Sequence, residues 1–439
     1  MTTTVKQALG AISNLAAVEQ AQALADRGYR PEVRPKVNIH IHLPPNFSAF
    51  ETVTQAVELA AKQGLGVLGV SNYYDYRVYG DYAEQARRHG IFPLFGLEII
   101  SLDDALAREG VKVNDPGNPG RMYVCGKGIT RFDPLKGRAL EIVKIIRRND
   151  RRRMAEMIGK LLAIFKARGP DVQLTEEKII DGVVKRHGCR RDAVYLQERH
   201  VAQAFQEALF ARTKESERIA VLSKALGAAS KCEPTDAVTI QGEIRSQLMK
   251  AGKEAFVAES CVSFDEAITL ILELGGIPCY PTLADGASPI CPYEDPPEKL
   301  VANCRERNFH CVELIPIRNS PAVLERYVRA YRKAGIAVTA GTEHNTLDLL
   351  PLEPTCKGGA EISDELKEIF WEGACVVAAH QFLNLRGRCG FVDSRGRANS
   401  AYSTAEERIR AFSALGAALI RRYHDQNRTR QDNSTNSEQ

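Results

Sequence analysis

Seven short apolar runs, near residues 36–41, 66–71, 92–97, 122–126, 277–281, 310–315 and 336–341, constrain the fold of this chain most strongly. Most of them are separated by stretches whose apolar residues recur every three to four positions, which predicts helices over 51–63, 81–89, 263–275, 297–307 and 321–334. Ser263-x-x-Glu266 marks the start of one of these as a capping box. Strand and helix in alternation build βα units with a parallel sheet. The expected fold class is therefore α/β, a distorted seven-stranded (β/α)7 barrel, whose active site collects where the strands end.

Between the fourth and fifth runs the pattern changes. Residues 137–260 show helical periodicity alone, with Thr175 placed to cap a helix from Glu176 to His187. The expected organisation is an N-terminal helix in 1–32, a first barrel segment 33–136, a helical insertion 137–260, a second barrel segment 261–350, a C-terminal helical extension 351–424 and a disordered tail 425–439. The tail is polar and nearly free of apolar residues, which leaves it nothing to bury.

Composition narrows the function classes. A formal charge of +4 over 439 residues implies no polyelectrolyte partner, so nucleic acid is not expected, and the arginines at 147–153 read as a solvated helix face. The eleven cysteines are odd in number and include no Cys-x-x-Cys pair, which argues against a disulfide framework and a structural zinc knot. With no signal-peptide pattern and no spanning apolar stretch, the expected location is cytoplasmic and no membrane partner is expected.

Polar residues recur at the ends of the runs: His40 and His42, Asn72 and Tyr73, Glu98, Tyr123, Tyr280, Glu313, then Glu343, His344 and Asn345. In a strand, residues two apart share a face, so His40 and His42 can converge on one cation. Neutral imidazole is a common ligand for zinc, iron and manganese.

In order along the chain these motifs resemble the PHP superfamily, named for its polymerase and histidinol phosphatase members. Asn38-Ile39-His40-Ile41-His42 is similar to the family's Asp-Leu-His-x-His, and Gly96-Leu97-Glu98 to its Gly-x-Glu. Ser71-Asn72-Tyr73 stands at its Thr-Asp-His, Tyr280-Pro281 at its His-Pro, Val312-Glu313-Leu314 at its next strand, and Gly341-Thr342-Glu343-His344-Asn345 at its closing Gly-Ser-Asp-x-His. The helix Ile145 to Leu162 and the segment Arg199-His200-Val201-Ala202 resemble the small phosphoesterase branch. The likeness covers about residues 33–345 and marks a divergent member with degenerate metal motifs.

Family members with intact motifs hold two or three divalent ions that activate water for phosphoester hydrolysis. Here Asn72, Tyr73, Tyr123, Tyr280 and Asn345 replace Asp or His ligands, so the resemblance implies a reduced site with one zinc, manganese or iron ion, or none. His40, His42, Glu98 and Glu343 are the expected ligands, with His344 as an additional candidate. Glu98 or Glu313 is the expected general base. Arg199 and His200 would hold a phosphate or carboxylate, and the Tyr73 and Tyr280 hydroxyls would orient the substrate. Three classes stay open: a metal-dependent phosphoesterase acting on a small anionic metabolite, a catalytically inactive PHP-like binding or regulatory domain, and another barrel reaction such as isomerisation or lysis of a sugar acid.

Overall fold

The computed structural model describes residues 34–437 and Gly10, with side chains described as far as Asn427. The leading helix expected within residues 1–32 otherwise lies outside them. Strands β1 (Lys36–Ile41), β2 (Leu65–Val70), β3 (Phe92–Leu102) and β4 (Arg121–Lys127) form the first part of the sheet, and a two-residue strand β5 (Val262–Ser263) pairs with β3. Strands β6 (Ile277–Thr282), β7 (Cys311–Leu314) and β8 (Ala337–Ala340) complete the path β1-β2-β3-β4-β6-β7-β8. All seven lie within about a residue or two of the expected runs, apart from an extension of β3.

One direction differs from the parallel expectation. Strand β4 runs antiparallel to both β3 and β6. The connection from β3 to β4 holds only a five-residue helix and a polar loop, and without a crossover helix the chain can only double back. The sheet nearly closes where β1 meets the chain leaving β8: the His42 amide donates to the Glu343 carbonyl at 2.8 Å and the Glu343 amide to the His40 carbonyl at 2.8 Å. Gly341 permits that approach, since a Cβ there would fall 2.3 Å from the His40 Cβ.

Helices α1 (Val53–Lys62) and α2 (Tyr79–Arg88) follow β1 and β2, and α3 (Asp104–Arg108) is the short helix after β3. The helices between β4 and β5 are α4 (Gly137–Arg168), α5 (Glu176–His187), α6 (Glu198–Arg212), α7 (Glu215–Leu226) and α8 (Ala237–Ile244). Thr175 caps α5 by accepting from the Lys178 amide. These helices bury a core of their own around Met157, Phe165, Phe205 and Ile240. Helix α4 joins both cores, because Ile142 and Ile146 pack with the barrel while Met154 to Phe165 pack with the other helices.

Helix α9 (Phe264–Glu273) carries the Ser263 and Glu266 capping box, and α10 (Pro297–Glu306) and α11 (Pro321–Lys333) follow β6 and β7. Helix α12 (Asp364–Leu385) packs on β8, β1 and β3 and is buried along most of its length from Leu366 to Leu383, so its apolar residues are not confined to one stripe. Helix α13 (Ala405–Ser437) packs on α12 and runs on through the stretch whose composition predicts disorder from Asp425. Once a helix is nucleated, each added residue brings one hydrogen bond, which lets a polar end continue it. Among the described residues, no helix is long and apolar enough to cross a membrane.

Candidate metal centre

Strand alternation turns His40 and His42 into the barrel, and β3 brings Glu98 beside them. His40 Nε2 lies 3.3 Å from His42 Nε2, and Glu98 Oε2 lies 3.1 Å from His42 Nε2 and 3.7 Å from His40 Nε2. All three side chains are buried. Bonds of about 2.0–2.2 Å from one ion to nitrogen and oxygen place ligand atoms about 3–3.6 Å apart; two sides of the triangle lie in that range and the third, at 3.7 Å, just beyond it.

The hydrogen bonding supports the same fit. His40 Nδ1 meets Glu313 Oε2 at 2.6 Å, and a carboxylate accepts there, so Nδ1 carries the proton and a neutral ring leaves Nε2 with a lone pair. Glu98 Oε2 is buried and faces the two imidazole nitrogens, with no other hydrogen-bond donor among the described residues. Burial lowers the His42 pKa, opposed by Glu98, which favours the neutral, metal-binding ring. Lone pairs that face one another out of water are unfavourable unless a cation joins them.

Glu313 stands behind His40, away from this triangle. Its other oxygen, Oε1, lies 2.5 Å from Lys127 Nζ, and both residues are buried. Burial alone would raise its pKa, but Lys127 and His40 outweigh that and hold it at about 2. With both oxygens engaged, Glu313 orients His40 in the manner of a carboxylate behind a ligating histidine, and the general-base role expected for it has no free oxygen. Lys127 is a site residue that the motifs did not flag. Tyr123, Cys125 and Lys127 lie at alternate positions of β4, so the inward reading of Tyr123 already implied an inward Lys127.

Several expected site residues have other partners. Glu343, expected as a fourth ligand, is gripped by Arg318, whose Nη1 donates to Oε1 at 2.9 Å and whose Nη2 bonds Oε2; Asn345 adds a 2.6 Å bond. It acts on His42 through its charge but does not join the ligand triangle. His344 has both nitrogens occupied, Nδ1 by the Thr342 hydroxyl at 2.7 Å and Nε2 by the Leu350 carbonyl at 2.9 Å. Glu343 and His344 have φ of 58° and 52°, so the left-handed bend at the strand end sets where each side chain goes.

Tyr280 is also displaced from its expected role. On β6, Cys279 and Pro281 pair with Cys311 and Glu313 of the inward face, so alternation turns Tyr280 outward, where its hydroxyl donates to Glu294 Oε1 at 2.8 Å. His200 caps α6 by accepting from the Gln197 amide at 3.0 Å, and it is buried and does not line the cavity that opens above the triangle. Asn72, at the place of a family ligand, is spent on the Leu43 backbone, accepting from its amide at 2.8 Å and donating to its carbonyl at 3.0 Å.

Tyr73 and Arg199 remain at the site. Tyr73 stacks on His42 with ring centroids 5.1 Å apart. A cavity of about 660 Å³ opens above the triangle, between the barrel mouth and α4 and α6, and its walls include Glu98, Tyr73, Tyr123, Arg199 and Arg318. Arg199 makes no hydrogen bond or ion pair with the described residues, and burial together with the nearby Arg245 lowers its pKa to about 10. The other cavity-wall cations have acidic partners: Glu198 binds Arg153 and Lys250, and Asp115 and Glu259 bind Arg121.

No protein-family model and no curated protein matches this sequence. Among solved structures, a protein from Bifidobacterium adolescentis assigned as a metal-dependent phosphoesterase is similar over 76% of this chain and 96% of its own, at 17% identity and a TM-score of 0.52. An amidohydrolase from Chromobacterium violaceum, with bound sulfate and no metal, is aligned over the same shares at 16% identity and a TM-score of 0.48. At such identity, the first likeness establishes a shared fold: this chain has the barrel-like α/β architecture of the Bifidobacterium protein.

Proposed function

We propose that this protein is a metal-dependent hydrolase of PHP type, a phosphoesterase that acts on a small anionic metabolite with a one-ion centre. The observation that carries the proposal is the meeting of His40 Nε2, His42 Nε2 and Glu98 Oε2 in a buried triangle, with the Glu98 oxygen unpartnered. These three residues would hold a zinc, manganese or iron ion. Such an ion, when bound, lowers the pKa of its water toward neutrality and polarises a phosphoryl oxygen.

The chain's own groups divide the remaining work. Glu313 and Lys127 keep His40 in the tautomer that presents Nε2. Glu98 is the triangle's carboxylate on the cavity wall, and so it is the group placed to accept a proton there. Arg199, which has no ion pair among the described residues, supplies the charge for the substrate's phosphate. Tyr73 walls the approach to His42.

A binding or regulatory role without turnover is the second reading, favoured by the diversion of Asn72 and Tyr280 into structural hydrogen bonds. Elemental analysis of wild type and of a His40→Ala, His42→Ala variant, after reconstitution with zinc, manganese or iron, tests the first reading. One ion per chain in wild type and none in the variant is the expected result; a wild type that takes up no ion overturns it. Metal-stimulated release of phosphate from a panel of phosphomonoesters, abolished by Glu98→Gln, separates hydrolysis from binding.

A further inference from the structure

A second set of ligand-type atoms lies on the other side of His40. One ring nitrogen of His40, Cys125 Sγ and a carboxylate oxygen of Glu313 fall within 4.8 Å of one another, and all three side chains are buried. Cys125 Sγ stands 3.6 Å from Glu313 Oε2, the same oxygen that meets His40 Nδ1 at 2.6 Å. Metal bonds of about 2.0 Å to nitrogen and oxygen and about 2.3 Å to sulfur need ligand atoms about 3–4 Å apart. The thiol–carboxylate spacing lies in that range, while the 2.6 Å contact of Nδ1 with Oε2 is a hydrogen bond that has to open for an ion to enter.

The charge at that pocket is supplied by the chain itself. Lys127 is two residues along β4 from Cys125 and on the same face, and its Nζ sits 2.5 Å from Glu313 Oε1, 3.2 Å from Ser71 Oγ and 3.4 Å from the Ile39 carbonyl oxygen. All three partners are oxygen acceptors, and Glu313 supplies the negative charge. An ammonium so placed and a divalent ion held by the same carboxylate would repel strongly in a buried site.

We infer that Lys127 is a built-in substitute for a second metal ion, its ammonium occupying the charge position beside His40, Cys125 and Glu313 and thereby fixing the centre at one ion. This rests on the one-ion reading of the neighbouring triangle and extends it with a role for Lys127. Removing the charge would leave an anionic carboxylate, an imidazole nitrogen and a thiol ready to take an ion, with the Nδ1 and thiol protons released to solvent.

The test compares full-length wild type with Lys127→Met, reading zinc per chain by elemental analysis and the absorption spectrum after loading with cobalt(II). Wild type is expected to hold one ion and to lack a thiolate-to-cobalt charge-transfer band in the near ultraviolet. Lys127→Met is expected to hold two ions and to show the band, which disappears with the second ion when Cys125→Ala is added. A folded Lys127→Met with one ion and no band overturns the inference. So does a Lys127→Arg variant that takes up a second ion, since the charge is then not what excludes it.

If Lys127→Met fails to fold, Lys127→Gln, which keeps a donor toward Glu313 and removes the charge, is judged by the same two readouts. A wild type with no ion beside a Lys127→Met that binds one with a thiolate band would sink the neighbouring triangle and leave this inference standing. No ion in either would sink both.

Discussion

The strands on either side of the barrel's closure carry the same kinds of side chain and commit them differently. At the end of β1 and midway along β3, two imidazoles and a carboxylate face one another, and the inward oxygen of Glu98 faces those rings without any other hydrogen-bond donor among the described residues. At the ends of β7 and β8, Glu313 is bound to Lys127 and His40, Glu343 to Arg318 and Asn345, and His344 to Thr342 and Leu350. Residue type alone would place ligands on both sides. Partnership decides which can receive an ion: groups whose charge and protons are already satisfied by the chain offer little to a metal, while unsatisfied ones do.

The contrast is broken or upheld most sharply by removing one carboxylate from each side. Glu313→Ala leaves Lys127 buried without its counter-charge, and denaturant unfolding should show a loss of about 3–5 kcal/mol. Glu98→Ala in metal-free protein removes a buried carboxylate that has no cationic partner, so its effect should stay within about 1 kcal/mol and can be favourable. Equal losses in the two variants would mean that Glu98 is as fully partnered as Glu313.

Glu294 sharpens the point, because it is fully buried on the partnered side and, among the described residues, its carboxylate is held by the Tyr280 hydroxyl and the Leu283 and Ala284 amides alone. Burial raises its pKa to about 7, opposed by those three donors. A raised carboxyl means that folding takes up a proton. The associated stability is complete below an unfolded value near 4.5 and is lost as pH rises through about 7. The shift amounts to at most about 3 kcal/mol. Thermal unfolding from pH 5 to 8 should therefore slope downward in wild type and be flatter in Glu294→Gln; an unchanged slope would mean that Glu294 is ionised in the fold at no penalty.

An ion that binds the folded triangle and not the unfolded chain adds about 2.7 kcal/mol at a hundredfold excess over its dissociation constant. Thermal unfolding with and without zinc should show that gain in wild type, lose it in His42→Ala and keep it in His344→Ala. Loss of the gain in His344→Ala would place a ligand on the side where the hydrogen bonds leave none free.

Much of this was legible in the sequence. The seven strand runs and five of the intervening helices follow from apolar periodicity, because burial of one face leaves its period in the chain. That His40, His42 and Glu98 come together was legible through strand alternation and short motifs. The direction of β4 was not, since alternation reports which face a residue takes and says nothing of which way the strand runs. Tyr280 was misplaced because a motif match fixes a position along the chain, while its face depends on the register with β7. Arg318 had no signal at all: it reaches Glu343 from the turn after β7, a meeting made only by the closed sheet.

Arg318 and Glu343 give the smallest expected effect and the finest test of the boundary between the two sides. The Arg318 side chain is 40% exposed, so solvent screens the pair, and Glu343→Gln should cost no more than about 1 kcal/mol. The ion count should stay at one, because the amide replaces a carboxylate that was not a ligand. Arg318→Ala should act in the opposite direction. It frees a carboxylate whose charge already acts on His42, and a carboxylate released that close to the triangle should tighten ion binding, read by zinc titration against a competing chelator. If Glu343→Gln instead empties the site, Glu343 swings from Arg318 to the ion when one is present, and the partnership seen here yields to the metal.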